Sequence, residues 1–396
     1  MPQASQRASR SRPTWYVAVH IGAGKHGIST KAKEDADACM SAALAAAAAV
    51  LDAGGDATAA VESAVQVLED ADATNAGCNG SHVNLTTDGR VETDASIVDG
   101  GSGAMGCCGA VHGVRNPISL AAHLLRSQHK SVGPRQPPIF LVGEGAFQAA
   151  QAAALATIDY TVEPIAAAAV ARHRAKMEDV MQPWSSSETV ALDTVGAICI
   201  DGHGRSAAAV SSAGIALKQP GRVGHAGCPR LGCSATVATE NYSAAFSCTG
   251  RGEHLMQAGL LQQVERHVAT RSSSSSTPLQ ELIHFAFDDA MAANGGVPVE
   301  GGVIGLVQRQ VSCVAPQPST KKRKRPAIAT PPVTRPSVDF VAAFSTPSMA
   351  VGVCSSVDND TSPITHILRL ATSDQLAVHV HQLGASSRTV HTTTDQ

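Results

Sequence analysis

The sequence predicts an α+β fold in which helix layers cover a stack of mainly antiparallel sheets. Three observations carry that expectation. Helical and strand patterns come in blocks instead of strict alternation, which disfavours a doubly wound parallel sheet. Residues 194–211 read as a strand, the turn Asp201-Gly-His-Gly204 and a returning strand, the pattern of a β-hairpin. The composition is 43% hydrophobic, 16% charged and 3% aromatic, with 35 Gly in 396 residues, which suits small side chains between closely spaced backbones. It also excludes a wholly disordered chain, and the length allows a large core.

The elements follow in order. Residues 1–14 are expected to be a disordered leader. Trp15 to His20 is a short apolar strand, and Lys31 to Leu51 an alanine-rich helix closed by Gly54-Gly55. Asp56 can cap a second helix that puts Ala60, Val61, Ala64, Val65 and Leu68 on one face. Gly-, Asn- and Asp-rich loops then run to about residue 106. Ile139 to Val142 is a strand, and a helix extends from near Glu144 to about Ala171. Residues 172–190 read as an exposed loop. Beyond the hairpin, Glu253 to His267 and Leu279 to Met291 are helical, linked by Ser272–Ser276. Val303–Val307, Val338–Phe344 and Met349–Val353 read as strands, and the Pro-rich basic stretch 313–337 as a disordered linker.

Composition also limits partners. A net charge of -3 gives no global field for nucleic acid or acidic membrane. No apolar run approaches the length of a membrane span, and the leader lacks the apolar segment of a secretory signal. The 10 Cys read as buried small hydrophobes, because Cys228 and Cys233 form C-x4-C without a second pair. No cofactor is expected. Gly22-Ala-Gly24-Lys-His-Gly27 matches a dinucleotide fingerprint, but two helices follow it where a parallel strand is required, so it reads as a tight turn.

The chemistry concentrates at Asp193-Thr194, a junction of loop and strand. If the bond before Thr194 breaks, the threonine gains an α-amine that can serve as base for its own hydroxyl. Such an amine has a pKa near 8 in peptides, roughly, so part of it is neutral at neutral pH. The surrounding segment, LDTVGAICIDGHGRSAAAVSSAGIALKQPGRVG, resembles the N-terminal-nucleophile hydrolases of the L-asparaginase/isoaspartyl-peptidase family. Within that family the likeness is greatest to the protease branch, the threonine aspartases. Further matching blocks occur in order, among them VHIGAG (19–24), STKAKE (29–34), TNAGCNGSHVNL (74–85), VETDASIVDG (91–100) and SCTGRGEHL (247–255).

The resemblance implies a four-layer αββα sandwich with two stacked, mainly antiparallel sheets between helix layers. It implies a precursor cut before Thr194, giving an α segment (15–193 with its leader) and a β segment (194–396) of one catalytic unit. The Thr194 hydroxyl would attack the Asp193 carbonyl, the acyl group would move from N to O, and water would cleave the ester. Ser212 matches the second hydroxyl beside the nucleophile, and Asn75 a loop asparagine near it. Thr249 and Gly250 match the oxyanion-hole pair. Arg222 matches the arginine that takes the substrate carboxylate in paired hydrogen bonds. Lys31 matches a lysine that helps hold the substrate aspartate in the protease branch. The two segments would stay associated after the cut, and a dimer of such pairs is left open.

Two positions depart from the family pattern. His225 stands where these enzymes usually carry an aspartate that grips the free α-amine of a small substrate. Ala213 replaces a glycine, and its methyl would narrow the site. The expected function is therefore an endopeptidase that cuts protein or peptide substrates after aspartate. The alternative is an L-asparaginase or β-aspartyl (isoaspartyl) peptidase, and a silent scaffold of the same fold is a third reading. The run Lys321, Lys322, Arg323, Lys324 and Arg325 reads as a signal for a nuclear import receptor, placing the protein in nucleus and cytoplasm. Its other reading is a solvated basic loop.

Overall fold

Side-chain caps start the first two helices in the computed structural model. Ser29 accepts the Ala32 N–H at 3.2 Å before α1 (Thr30–Asp52), and Asp56 accepts the Ala59 N–H at 2.9 Å before α2 (Ala57–Asp70). The structure describes residues 13–383 except 28, 79, 81, 129–135, 161–164, 181–193, 238, 240–241, 273–276, 314–332, 358–360 and 372–374. The basic run 321–325, Asp193 and nearly all of the leader lie outside the described residues.

The chain runs through β1 (Tyr16–Gly24), α1, α2, β2 (Thr93–Asp99), β3 (Met105–Val111), α3 (Pro117–Ser127), β4 (Phe140–Val142), α4 (Gly143–Ala152) and α5 (Ala167–Val180). It continues with β5 (Val195–Ile200), β6 (Ser206–Ser212), β7 (Cys233–Ala235), β8 (Tyr242–Gly250), α6 (Gly252–Ala258), α7 (Leu260–Ser272) and α8 (Leu279–Ala293). β9 (Gly301–Cys313), β10 (Val333–Phe344), β11 (Ser348–Ser355), β12 (Ile364–Arg369) and β13 (Ala377–Leu383) complete it. Eight strands form one sheet, β12-β11-β1-β5-β6-β2-β3-β4, and five form another, β13-β10-β9-β8-β7. Every adjacent pair is antiparallel except β3 and β4.

Alternating side chains build three apolar layers. In β5, Val195, Ala197 and Cys199 face α1–α4, whereas Ile198 and Ile200 face the other sheet. On that second sheet Ala245, Ile304, Leu306 and Phe344 answer them. Phe246, Val303, Val307 and Val341 point the other way, onto α6, α7 and α8. The architecture is thus the expected αββα sandwich. Small residues let the layers approach: an added Cβ at Gly302 would stand 2.7 Å from Met349 Sδ and 3.1 Å from Ala23 Cβ.

Several expected elements change. The long helix from Glu144 splits into α4 and α5, because Ala154 adopts a left-handed φ of 55° after α4 ends. Residues 172–180, expected as loop, belong to α5. The helix from Glu253 breaks at Gly259, a left-handed C-cap with φ 58°. β2 and β3 occupy part of the stretch read as loop, and α3 follows with Pro117 at its first position. The expected linker loses its ends to the sheet, since β9 reaches Cys313 and β10 starts at the paired Val333. β7, β8, β12 and β13 had no counterpart among the expected strands. The fingerprint-like glycines close β1, whose neighbours β5 and β11 are both antiparallel, so no βαβ unit forms there. The nine cysteines whose side chains are described are free, and all but Cys228 are buried. Among the described residues no helix is long and apolar enough to cross a membrane.

Candidate active site

Strand register brings the candidate residues together. Thr194 immediately precedes β5, and Val195 pairs with Ser211, so Ser212 at the end of β6 lies beside it. Ser212 pairs in turn with Asp94 on β2. Gly250 ends β8 on the second sheet. These strand ends enclose an open cleft of about 350 Å³, lined by Thr194, Ser212, Gly214, Ile215, Arg222, Gly224, His225, Ala226, Gly250 and Gly252.

The Thr194 hydroxyl donates to Ser212 Oγ at 3.3 Å, and the same oxygen accepts Gly214 N–H at 3.0 Å. Thr194 is 4% exposed and is among the residues that line the cleft. Asn75 is buried and donates Nδ2 to the Gly214 carbonyl at 3.4 Å, with Asn84 donating to that carbonyl at 2.6 Å. Gly214 takes φ 69°, a conformation favoured by glycine. Thr249 Oγ1 is buried and has no hydrogen-bond partner among the described residues. An orphaned buried hydroxyl is destabilising unless a ligand oxygen completes it. Neither Thr249 nor Asn75 is among the cleft-lining residues, but Gly250, which follows Thr249, is, and the Thr249–Gly250 pair at that edge suits the oxyanion role.

Arg222 sits in the Gly221–Gly224 loop. Its Nε donates to Glu253 Oε1 at 2.7 Å, and its Nη2 donates to the same oxygen. Burial pushes the Glu253 carboxyl up, but the Arg222 hydrogen bond and charge outweigh it, so its pKa lies below the usual range. The remaining Nη1 lies 3.4 Å from where a Cβ on Gly214 would stand, at the cleft wall. His225 is 3% exposed. Its Nε2 lies 3.3 Å from the Cys248 carbonyl, which can only accept, so the proton sits on Nε2 and Nδ1 is the ring's acceptor. Burial lowers its pKa to about 4; the Cys248 hydrogen bond opposes this and the Arg222 charge adds to it.

Behind Thr194, His20 of β1 faces Gly196 of β5, and its Nε2 lies 2.8 Å from Ser247 Oγ of β8. Burial and the neighbouring His225 lower the His20 pKa to about 3, with the Thr194 backbone partly offsetting them. This neutral pair joins the two sheets beneath Thr194 and Thr249.

Two expectations land elsewhere. Lys31 is not among the cleft-lining residues; its side chain is 82% exposed and its ammonium pairs with Asp35 at 2.7 Å. The Ala213 methyl packs with Cys78, Val83, Leu85 and Val91, away from the cleft lining, so it does not narrow the site. Sequence reasoning missed Glu253, His20 and the buried Lys218. Glu253 stood within the SCTGRGEHL block, and Lys218 four residues before Arg222, but charge alone marks neither as buried or paired.

Comparison with known proteins gives a consistent picture. A protein-family model described as asparaginase matches residues 13–312. The isoaspartyl peptidase/L-asparaginase of Bos taurus is 35% identical over 274 residues, 68% of this chain and 81% of the relative. The Homo sapiens protein of the same name is 36% identical over 255 residues, 64% of this chain and 76% of the relative. The isoaspartyl peptidase of Salmonella typhimurium is 36% identical over 208 residues, 52% of this chain and 62% of the relative. The chain belongs to the type 2 asparaginase family of N-terminal-nucleophile hydrolases.

Proposed function

We propose that the protein matures by cleavage between Asp193 and Thr194 and then cuts polypeptide substrates after aspartate, with Thr194 as nucleophile. The state of His225 carries the endopeptidase reading. A free amino acid or dipeptide presents an ammonium, which calls for a carboxylate. An internal aspartate presents a neutral peptide N–H, which calls for a neutral acceptor. His225 is buried and neutral, with Nδ1 as its acceptor beside Gly252. It can take an amide hydrogen and offers an ammonium no counter-charge.

The remaining roles follow from the cleft. The freed Thr194 amine takes the hydroxyl proton, and the Ser212 hydroxyl, 3.3 Å away, turns its own hydrogen toward the Thr194 oxygen to hold it. The carbonyl oxygen, as it gains charge, reaches the unpartnered Thr249 hydroxyl and the Gly250 N–H. Arg222 receives the aspartyl carboxylate through Nη1.

The second reading is hydrolysis of L-asparagine or β-aspartyl dipeptides, favoured by the names of the relatives. An assay of an Asp-containing peptide, L-asparagine and a β-aspartyl dipeptide side by side separates the two. Preferential turnover of the peptide is expected. Turnover of the small substrates alone would overturn the endopeptidase reading, and His225→Asp should shift preference toward them.

Thr249→Ala distinguishes a catalytic hydroxyl from a structural one. The side chain has no partner to lose, so the melting temperature should hold within a degree or two. Turnover should fall on the order of 100- to 1,000-fold. A variant that unfolds readily yet turns over normally would place this hydroxyl in the scaffold.

A further inference from the structure

The loop that carries Arg222 is held by side chains without a role so far. Gly221 N–H donates to Glu92 Oε2 at 2.8 Å, and Gly224 N–H donates to Asp94 Oδ2 at 2.8 Å. Both ends of the four-residue loop therefore stop on carboxylates. Asp94 Oδ1 accepts a further N–H from Ala110 of β3 at 2.8 Å. Lys218 donates Nζ to the Glu92 carbonyl at 2.7 Å. Glu92, Asp94 and Lys218 are 6%, 0% and 2% exposed.

Taking three charged groups out of water is unfavourable unless each is paired and hydrogen-bonded. Here they converge on the recognition loop. The ideal Cβ position at Gly214 lies 3.2 Å from Lys218 Nζ and 3.4 Å from Arg222 Nη1, so both cations approach the same wall of the cleft. Asp94 also pairs with Ser212 in the sheet. One strand end thus touches the support of the nucleophile through its backbone and the support of the arginine through its side chain.

We propose that Asp94 and Glu92 are positioning residues for substrate recognition, fixing the Gly221–Gly224 loop so that Arg222 faces the cleft, with Lys218 offsetting part of their charge. The proposal rests on the reading that Arg222 receives the substrate carboxylate. Both acids precede Thr194 in sequence and the loop follows it, so the segment that ends at the cut would hold the arginine of the segment that carries the nucleophile.

Steady-state kinetics of Asp94→Asn, Glu92→Gln, Arg222→Ala and the double variant Asp94→Asn/Arg222→Ala test this, using whichever substrate the side-by-side assay finds. Asparagine and glutamine can replace only one acceptor oxygen each. Asp94→Asn is expected to raise KM roughly tenfold, with kcat within about twofold. Its rate of chain cleavage, read by gel, should match the wild type. Because the acid acts through the arginine, the double variant should bind no worse than Arg222→Ala alone. If Arg222→Ala leaves KM unchanged, the reading of Arg222 fails. If it raises KM while both acid variants leave KM alone, the clamp is refuted. Multiplied effects in the double variant, or a kcat loss without a KM change, also refute it. Should Asp94→Asn fail to fold, Glu92→Ala, which removes the oxygen that holds Gly221, and its double variant with Arg222→Ala carry the same comparison.

Discussion

Thr194→Ala is expected to persist as one 40.4 kDa band after long incubation, where the wild type resolves into two. On the proposed mechanism the variant would remove both the attacking hydroxyl of chain cleavage and the nucleophile of the mature enzyme. Turnover should therefore drop by about 10,000-fold or more, the scale seen when a nucleophile is deleted and only binding and oxyanion groups remain. Thr194 donates only to Ser212 Oγ at 3.3 Å, a neutral hydrogen bond worth about 1 kcal/mol, so the uncut variant should still fold. Thr194→Ser retains a hydroxyl and should still cut itself. Mass spectrometry of the fragments decides the outcome: a new N-terminus other than Thr194, or no cut in the wild type, would overturn the assignment.

Gly196→Ala should cause the second large effect, through packing. Gly196 lies two residues beyond Thr194, opposite His20 and Val210. An added methyl would stand 2.2 Å from Ser247 Oγ and 2.4 Å from His20 Nε2, closer than any real contact. The surrounding strands are fully buried, so the clash must be relieved by breaking the His20–Ser247 pair or by moving β5. Overpacking of this kind costs about 1–3 kcal/mol, and the lost buried hydrogen bond about 1 kcal/mol more. The melting temperature should fall by several degrees, and turnover should fall with it, because β5 carries Thr194 at its start. Adding Ser247→Gly removes one clashing oxygen and should recover part of the loss. Wild-type stability in the single variant would sink this account of the sheet-to-sheet contact.

Much of this site was legible because catalysis constrains short, ordered motifs. The hairpin from Thr194 to Ser212 has a polar turn between two apolar runs, and Asp56 announces its helix by chemistry alone. β7 and β8 were not legible. Their residues are mostly Ser, Ala, Cys and Thr, buried on both faces, so no polar and apolar alternation marks them. β2 hides for the same reason, its Asp94 and Ser96 being interior. Lys218 is the sharpest case. Lysine is rarely fully buried, and only the folded chain brings the Glu92 carbonyl, Asp94 and Arg222 around it. Lys31 errs in the other direction, since a motif match says nothing of which side of the helix start faces the cleft.

The order of strands in the large sheet has a further consequence. β1, from before the cut, is flanked by β5 and β11, both from after it, and β6 from after the cut lies between β5 and β2. The two products of cleavage would therefore be interleaved like fingers of clasped hands. Neither could leave without tearing hydrogen-bonded ladders along the length of the other. Folding would happen while the halves are tethered, and the reverse journey after scission would become a bimolecular encounter between two partial sheets. Maturation would then act as a ratchet: the protein is assembled once, as a single chain, and the finished heterodimer is kept by its unfolding barrier, with no tether to guide it back.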